Sequence, residues 1–180
     1  MNSKPSDSIE LVITAPEPHG TLFAYQTRCR TTLGVLCQLL AQAYHRVVIV
    51  VPFIQPHHGL ADGVLGEALQ SALRRGVIVD VVSTGKSLHI LEQSSLPHGP
   101  SGNLRFFRPS TNITDDQRLG SHAKFCIADG QSAYVGSANL TGPGLSGQLE
   151  LGLLVHGEIA RQIEDFWTYL IEVGIFVPVI

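Results

Sequence analysis

His122-Ala-Lys-Phe-Cys-Ile-Ala-Asp129, with Gly136-Ser-Ala-Asn139 seven residues further on, is the stretch that decides the fold. As patterns these are H-x-K-x4-D and G-S-x-N. On an extended strand, residues i and i+2 share a face. The imidazole of His122 and the ammonium of Lys124 are therefore expected to project into one cavity. Ala123, Phe125 and Ile127 then turn the other way and read as core. Asp129-Gly130 is a hairpin turn signal between this strand and the next apolar run, Ala133-Tyr-Val135. Gly136 ends that run, where a missing side chain lets backbone approach a ligand. An ammonium neutralises oxyanion charge, the Ser137 hydroxyl and Asn139 carboxamide donate hydrogen bonds, and an imidazole can attack phosphorus. Together these groups suit a phosphate.

Downstream, Glu150 interrupts the apolar strand Leu149 to Val155, so its carboxylate reads as functional. Upstream, Ile9 to Thr14 reads as a strand ended by Pro16 and Pro18. Thr31 to Arg46 has helical spacing, with Leu33, Leu36, Cys37, Leu40 and Tyr44 on one face. Val47 to Val51 is a continuous β-branched run of the kind buried in parallel sheets. A helix over Leu60 to Arg75 (stripe Leu65, Ala68, Leu69, Ala72; cap Gly76) connects it to the strand Val77 to Val82, an expected parallel crossover. A short helix over 86–95, a strand over Asn103 to Phe107 and a polar loop over 108–120 lead into the motif strands, 121–128 and 132–135. After the Gly-rich 140–147 and the Glu150 strand comes an amphipathic helix, Ile159 to Gly174, carrying Ile163, Phe166 and Leu170. The apolar tail 175–180 must dock on something. The expectation is an α/β fold with a mixed, largely parallel central sheet flanked by helices on both faces. Residues 1–8 read as a disordered lead and 9–180 as a single domain.

With 44% hydrophobic and 15% charged residues, the chain reads as globular and rather apolar. Its net charge of −3 is unlike the basic surface of a dedicated duplex-DNA binder. Arg105, Arg108, Arg118 and Lys124 form either a local positive rim at the motif or ordinary solvated charge. No apolar run reaches membrane-spanning length and the polar start lacks the apolar core of a signal peptide, so a cytoplasmic protein without stable membrane association is expected. Cys29, Cys37 and Cys126 are odd in number and lack metal-ligand spacing, as in a reducing compartment. Cys126 reads as a small buried residue. His57 and His58 have no spaced partner and read as a polar loop; no metal or cofactor is expected. Ser83-Thr-Gly-Lys-Ser87 looks like the end of a phosphate-binding loop, but Asp80 stands where the earlier glycine is required.

The motif constellation resembles the HKD motif of the phospholipase D superfamily, in the pattern of its small bacterial nucleases with one motif per chain. The resemblance covers about residues 120 to 155. It implies that His122 is the nucleophile and that Lys124, Ser137 and Asn139 bind phosphate. It further implies that Glu150 orients the imidazole and that Asp129 supports the local fold. The family's chemistry uses two such motifs facing one site, so the resemblance implies a homodimer, a phosphohistidine intermediate and no metal. The reading it favours is a phosphodiesterase acting on DNA or RNA. A second is a non-catalytic or weakly active accessory module of a phage-defence system, binding nucleic acid or partner proteins. A third is a hydrolase of phospholipid or another small phosphodiester, with the tail 175–180 as its apolar entrance.

Overall fold

The structure, a computed structural model, describes residues 7–55, 59–84, 87–89, 103–110 and 122–179. Its strands are β1 (Ser8–Thr14), β2 (Arg30–Thr31), β3 (Arg46–Val50), β4 (Ile78–Val82), β5 (Leu104–Pro109), β6 (Phe125–Ala128), β7 (Ser132–Gly136), β8 (Glu150–His156) and β9 (Phe176–Pro178). Its helices are α1 (His19–Thr27), α2 (Thr32–Gln42), α3 (Gly63–Arg74) and α4 (Glu158–Glu172). The strands form one sheet in the order β2-β1-β8-β7-β6-β3-β4-β5-β9.

The sheet is mixed and has helices on both faces, as expected, but it is not largely parallel. The parallel pairs are β3–β4, β4–β5 and β1–β2. The pairs β1–β8, β3–β6, β5–β9, β6–β7 and β7–β8 are antiparallel. The reason is connection length: a strand–helix–strand crossover yields a parallel neighbour, whereas a tight turn yields an antiparallel one. Asp129 and Gly130 make such a turn, both in the left-handed region (φ 52° and 62°).

The two sheet faces carry separate cores. On one, Val35, Leu36, Leu39 and Leu40 of α2 and Leu65, Leu69, Ala72 and Leu73 of α3 pack on Val47, Ile49, Val79, Val81, Cys126 and Tyr134. On the other, Ala160 and Trp167 of α4 cover Val48, Val50, Val82, Ile127, Ala133 and Val155. Two expected helical faces are corrected here. Tyr44 lies beyond the end of α2 and is exposed, and Phe166 of α4 is also exposed. The seam of α2 keeps Leu36 and Leu40 and adds Val35 and Leu39, and that of α4 keeps Ile163 and Leu170 beside the buried Ala160 and Trp167. α1 escaped the sequence reading because its apolar residues form no stripe: Leu22, Phe23 and Tyr25 are exposed and only Gly20 is buried. α2 starts where the sequence suggests, with Thr31 Oγ1 accepting from Gly34 N at 3.3 Å.

β1 begins at Ser8, and Asp7 before it accepts from Glu158 N at the start of α4, so ordered chain starts inside the expected lead. Residues 1–6 lie outside the described residues, as do His57, His58, Arg118 and most of the segments read as a helix over 86–95 and a loop over 108–120. The tail docks as β9 on β5, and buried Phe176 packs beside Trp167 at 5.4 Å between ring centroids. No helix among the described residues is long and apolar enough to cross a membrane.

The stretch that looks like a phosphate-binding loop has a packing role. The hydroxyls of Ser83, Thr84 and Ser87 donate to the Pro52 carbonyl at 3.2, 3.0 and 3.3 Å. They fasten the chain leaving β4 to the chain leaving β3. Asp80 is fully buried and held by Arg46 and Arg105, each within 2.6 Å. Arg105 therefore belongs to a structural ion cluster and not to a free positive rim.

Candidate active site

Lys124 sits just before β6, where Gly136 N donates to its carbonyl at 3.0 Å. That bond extends the β6–β7 register by one pair, so Lys124 lies opposite Gly136. Gly136 in turn pairs with Gly152, and Gly152 with Val12. Residues opposite one another across a ladder share a face, so Lys124 belongs to the α2–α3 side of the sheet with Cys126 and Tyr134. The site thus lies where β3 ends, close to Val50 and Val51. From there the chain runs on to Ile54 and Gln55, which are bridged to Leu140 beyond the G-S-x-N segment.

His122 and Lys124 come together as the spacing predicts. Lys124 Nζ lies 3.4 Å from His122 Nδ1 and donates to the His122 carbonyl at 3.0 Å. Ala123 is exposed, not core, because the strand proper begins only at Phe125. The lysine is 8% exposed. Burial pushes its pKa down, and the Glu150 carboxylate partly restores it. A poorly hydrated ammonium whose neighbours are an imidazole nitrogen and a carbonyl, with no carboxylate among the described residues bonded to it, is well suited to receive an anion.

Ser137 and Glu150 meet on the adjacent strands. The Ser137 hydroxyl donates to Glu150 Oε2 in a short hydrogen bond and accepts from Leu151 N at 3.1 Å. The resemblance has Glu150 orient the His122 imidazole; in this structure the Glu150 carboxylate is bonded to the Ser137 hydroxyl. Asn139 makes no hydrogen bond to His122 or Lys124, and its Oδ1 is buried with no partner among the described residues. Cys126 is buried, and its thiol is pushed up to about 12 by that burial, which makes it inert at neutral pH. Among the described residues no group of three His, Cys, Asp or Glu could hold a metal.

Asp129 lies at the far end of β6 from Lys124, roughly 16 Å along an extended chain. Its carboxylate accepts from the backbone N–H of Tyr44, His45 and Arg46 at 2.8, 2.9 and 2.8 Å. It anchors the entry to β3. The space above Gly136 is taken by the side chain of Tyr134: a Cβ on Gly136 would fall 2.2 Å from the Tyr134 hydroxyl oxygen. The glycine is there for this ring rather than for the close approach of a ligand that its position in the sequence suggests.

The sequence model of the family described as "Cardiolipin synthase, PLD-like domain" matches residues 36–170, most of the chain and all of this site. The chain belongs to the phospholipase-D-like family. Three proteins are similar to this phospholipase-D-like chain. It is 25% identical over 178 residues to DISARM protein DrmC of Bacillus paralicheniformis, covering 96% of this chain and 67% of the relative. NucT from Helicobacter pylori superposes with a TM-score of 0.64 at 16% identity, over 93% of this chain and 97% of that one. Nuc from Salmonella typhimurium, a phospholipase D family member, superposes with a TM-score of 0.58 at 16% identity, over 91% and 93%. At these identities the two structures speak for the fold alone.

Proposed function

We propose that this phospholipase-D-like protein is a metal-independent phosphodiesterase that cleaves nucleic acid through a phosphohistidine, in a site completed by a second copy of the chain. The observation that carries the reading is the ammonium of Lys124, a residue only 8% exposed, lying 3.4 Å from the His122 ring nitrogen Nδ1. The DrmC relative supports a place in phage defence, and a single motif in a chain of this size suits the nucleic-acid reading. The phospholipid reading is the weakest, because the tail it would use as an entrance is β9 of the sheet.

The chemistry follows from proton placement. For His122 Nε2 to attack phosphorus, the proton must sit on Nδ1, which needs an acceptor. In the free site Nδ1 faces the ammonium of Lys124, and Glu150 is engaged by Ser137. An arriving phosphate draws the ammonium to its oxygens and gives the Ser137 hydroxyl a competing acceptor. Nδ1 can then donate to Glu150, and Nε2 becomes the nucleophile. The P–N bond forms as the bond to the leaving oxygen breaks. His122 of the partner subunit gives that oxygen its proton and then takes one from the water that releases the phosphate. Lys124, Ser137 and Asn139 stabilise the charge developing on the equatorial oxygens.

The test is cleavage of single- and double-stranded DNA and RNA in excess EDTA. Wild type is expected to retain its activity, and His122→Asn to lose about 10³-fold or more while remaining folded. A folded, fully active His122→Asn protein or a strict need for added Mg²⁺ would sink the mechanism. A protein that binds nucleic acid without cutting it would support the accessory reading favoured by the DrmC relative.

A further inference from the structure

Tyr134 is 2% exposed, and its ring lies over the glycine pair Gly136 and Gly152, which face each other across β7 and β8. A Cβ on Gly152 would fall 2.5 Å from the ring, just as one on Gly136 would meet the hydroxyl. Two glycines from different strands thus make room for one side chain, and its hydroxyl occupies the space next to Lys124, the residue opposite Gly136. Thr32, the first residue of α2, and the backbone of Ala138 face the oxygen of that hydroxyl as donors, but no well-formed hydrogen bond holds it and its own proton meets no acceptor among the described residues. Burial raises its pKa, Thr32 and Ala138 oppose that, and Glu150 raises it further. A pKa raised above the ordinary tyrosine value leaves it protonated, and so a donor, at neutral pH. Lys124 and Tyr134 both feel Glu150, the charged group common to their surroundings. A buried phenol without a well-formed hydrogen bond is costly, and both glycines are given over to keeping it there.

We infer that Tyr134 is a positioning residue of the phosphate site: its hydroxyl is the donor that steadies the Glu150 carboxylate once Ser137 turns to the substrate, and it acts on His122 only through Glu150. This inference rests on the proposed function, in which Glu150 holds the His122 ring. A merely structural tyrosine would need its ring but not its hydroxyl.

The test reads the His122 imidazole directly, by its C2–H resonance titrated in the full-length protein with inorganic phosphate present. The variants are Tyr134→Phe, Glu150→Gln and the pair together. A steadied carboxylate favours the imidazolium, so Glu150→Gln is expected to lower the His122 pKa. Tyr134→Phe is expected to lower it in the same direction by about half a pH unit, and to have no further effect in the Glu150→Gln background. A melting midpoint close to wild type would show that the phenylalanine still fills the space over the glycines. If Glu150→Gln moves the titration and Tyr134→Phe does not, the inference fails and the proposed function stands. If Tyr134→Phe moves it equally in both backgrounds, the hydroxyl acts by another route and the inference fails. If Glu150→Gln leaves His122 unmoved, the imidazole–carboxylate coupling is absent and both fail.

Discussion

Lys124 shows what a single position in this site costs and provides. The residue lines a pocket with Leu36, Ile49, Val50 and Tyr134, and its burial lowers the pKa of its ammonium. The folded protein therefore releases this proton at a lower pH than the unfolded chain does. Below the lowered value the charge is present in both states and folding bears its desolvation. As pH rises from that value towards about 10.4, where a free lysine titrates, the unfolded chain holds the extra proton and the penalty on folding is relieved. Lys124→Met keeps the volume and removes the charge. It is expected to be more stable than wild type by roughly 0.5–2 kcal/mol at neutral pH, with the gap narrowing above the lowered pKa, and to lose phosphate binding. Thermal melts across pH, with and without phosphate, check both parts; a variant that is less stable, or that binds phosphate normally, would contradict this account. The His122–Lys124 pair was legible because its spacing is local. Tyr134 was not, because its meaning depends on Gly136 and Gly152 meeting across two strands, and no window of sequence contains that meeting.

Among elements, the strand–helix–strand unit of β3, α3 and β4 could be read from its continuous β-branched runs and its helical stripe. The direction of the motif strands could not be read from composition: it follows from the Asp129-Gly130 turn and from the short path through 140–147 to β8. Asp129 also reaches outside the motif. Its turn places the carboxylate over residues 44–46, whose N–H groups have reached the end of α2 and begun β3. A single side chain thus ties the hairpin to the central parallel strands. Asp129→Ala leaves three N–H groups without their acceptor and is expected to cost about 2–4 kcal/mol. Asp129→Asn retains an acceptor oxygen and tolerates the left-handed backbone, so its loss is expected to be smaller. Denaturant unfolding measures both. If the role is structural, phosphate affinity in the folded fraction stays at the wild-type level; a folded Asp129→Ala protein of normal stability that no longer binds phosphate would place the carboxylate in the site instead.

At the scale of the whole molecule, one imidazole must attack while another protonates the leaving oxygen, so a chain with one H-x-K motif is half of the proposed machine. The sheet offers a surface for the other half. On the α4 side, Leu11 pairs with Leu153 and Leu153 with Val135, and Leu151 neighbours Ser137. All four are at least 40% exposed, because α4 covers the sheet from β9 across to the far ends of β7 and β8 and stops short of this row. An exposed apolar row that runs up to Ser137 and Glu150 suits burial against a second copy related by a two-fold axis. Leu153→Asp, at the middle of the row, is expected to yield a folded monomer by sedimentation and to lose most cleavage activity. Dilution of wild type with excess His122→Ala chains tests whether the site itself is shared. If it is, activity per wild-type chain falls as mixed dimers form, because each has only one of the two imidazoles. Subunit exchange must first be verified by mass-tagged chains. Activity that stays proportional to the wild-type concentration after exchange, or a fully active Leu153→Asp monomer, would mean that one chain supplies both the nucleophile and the acid.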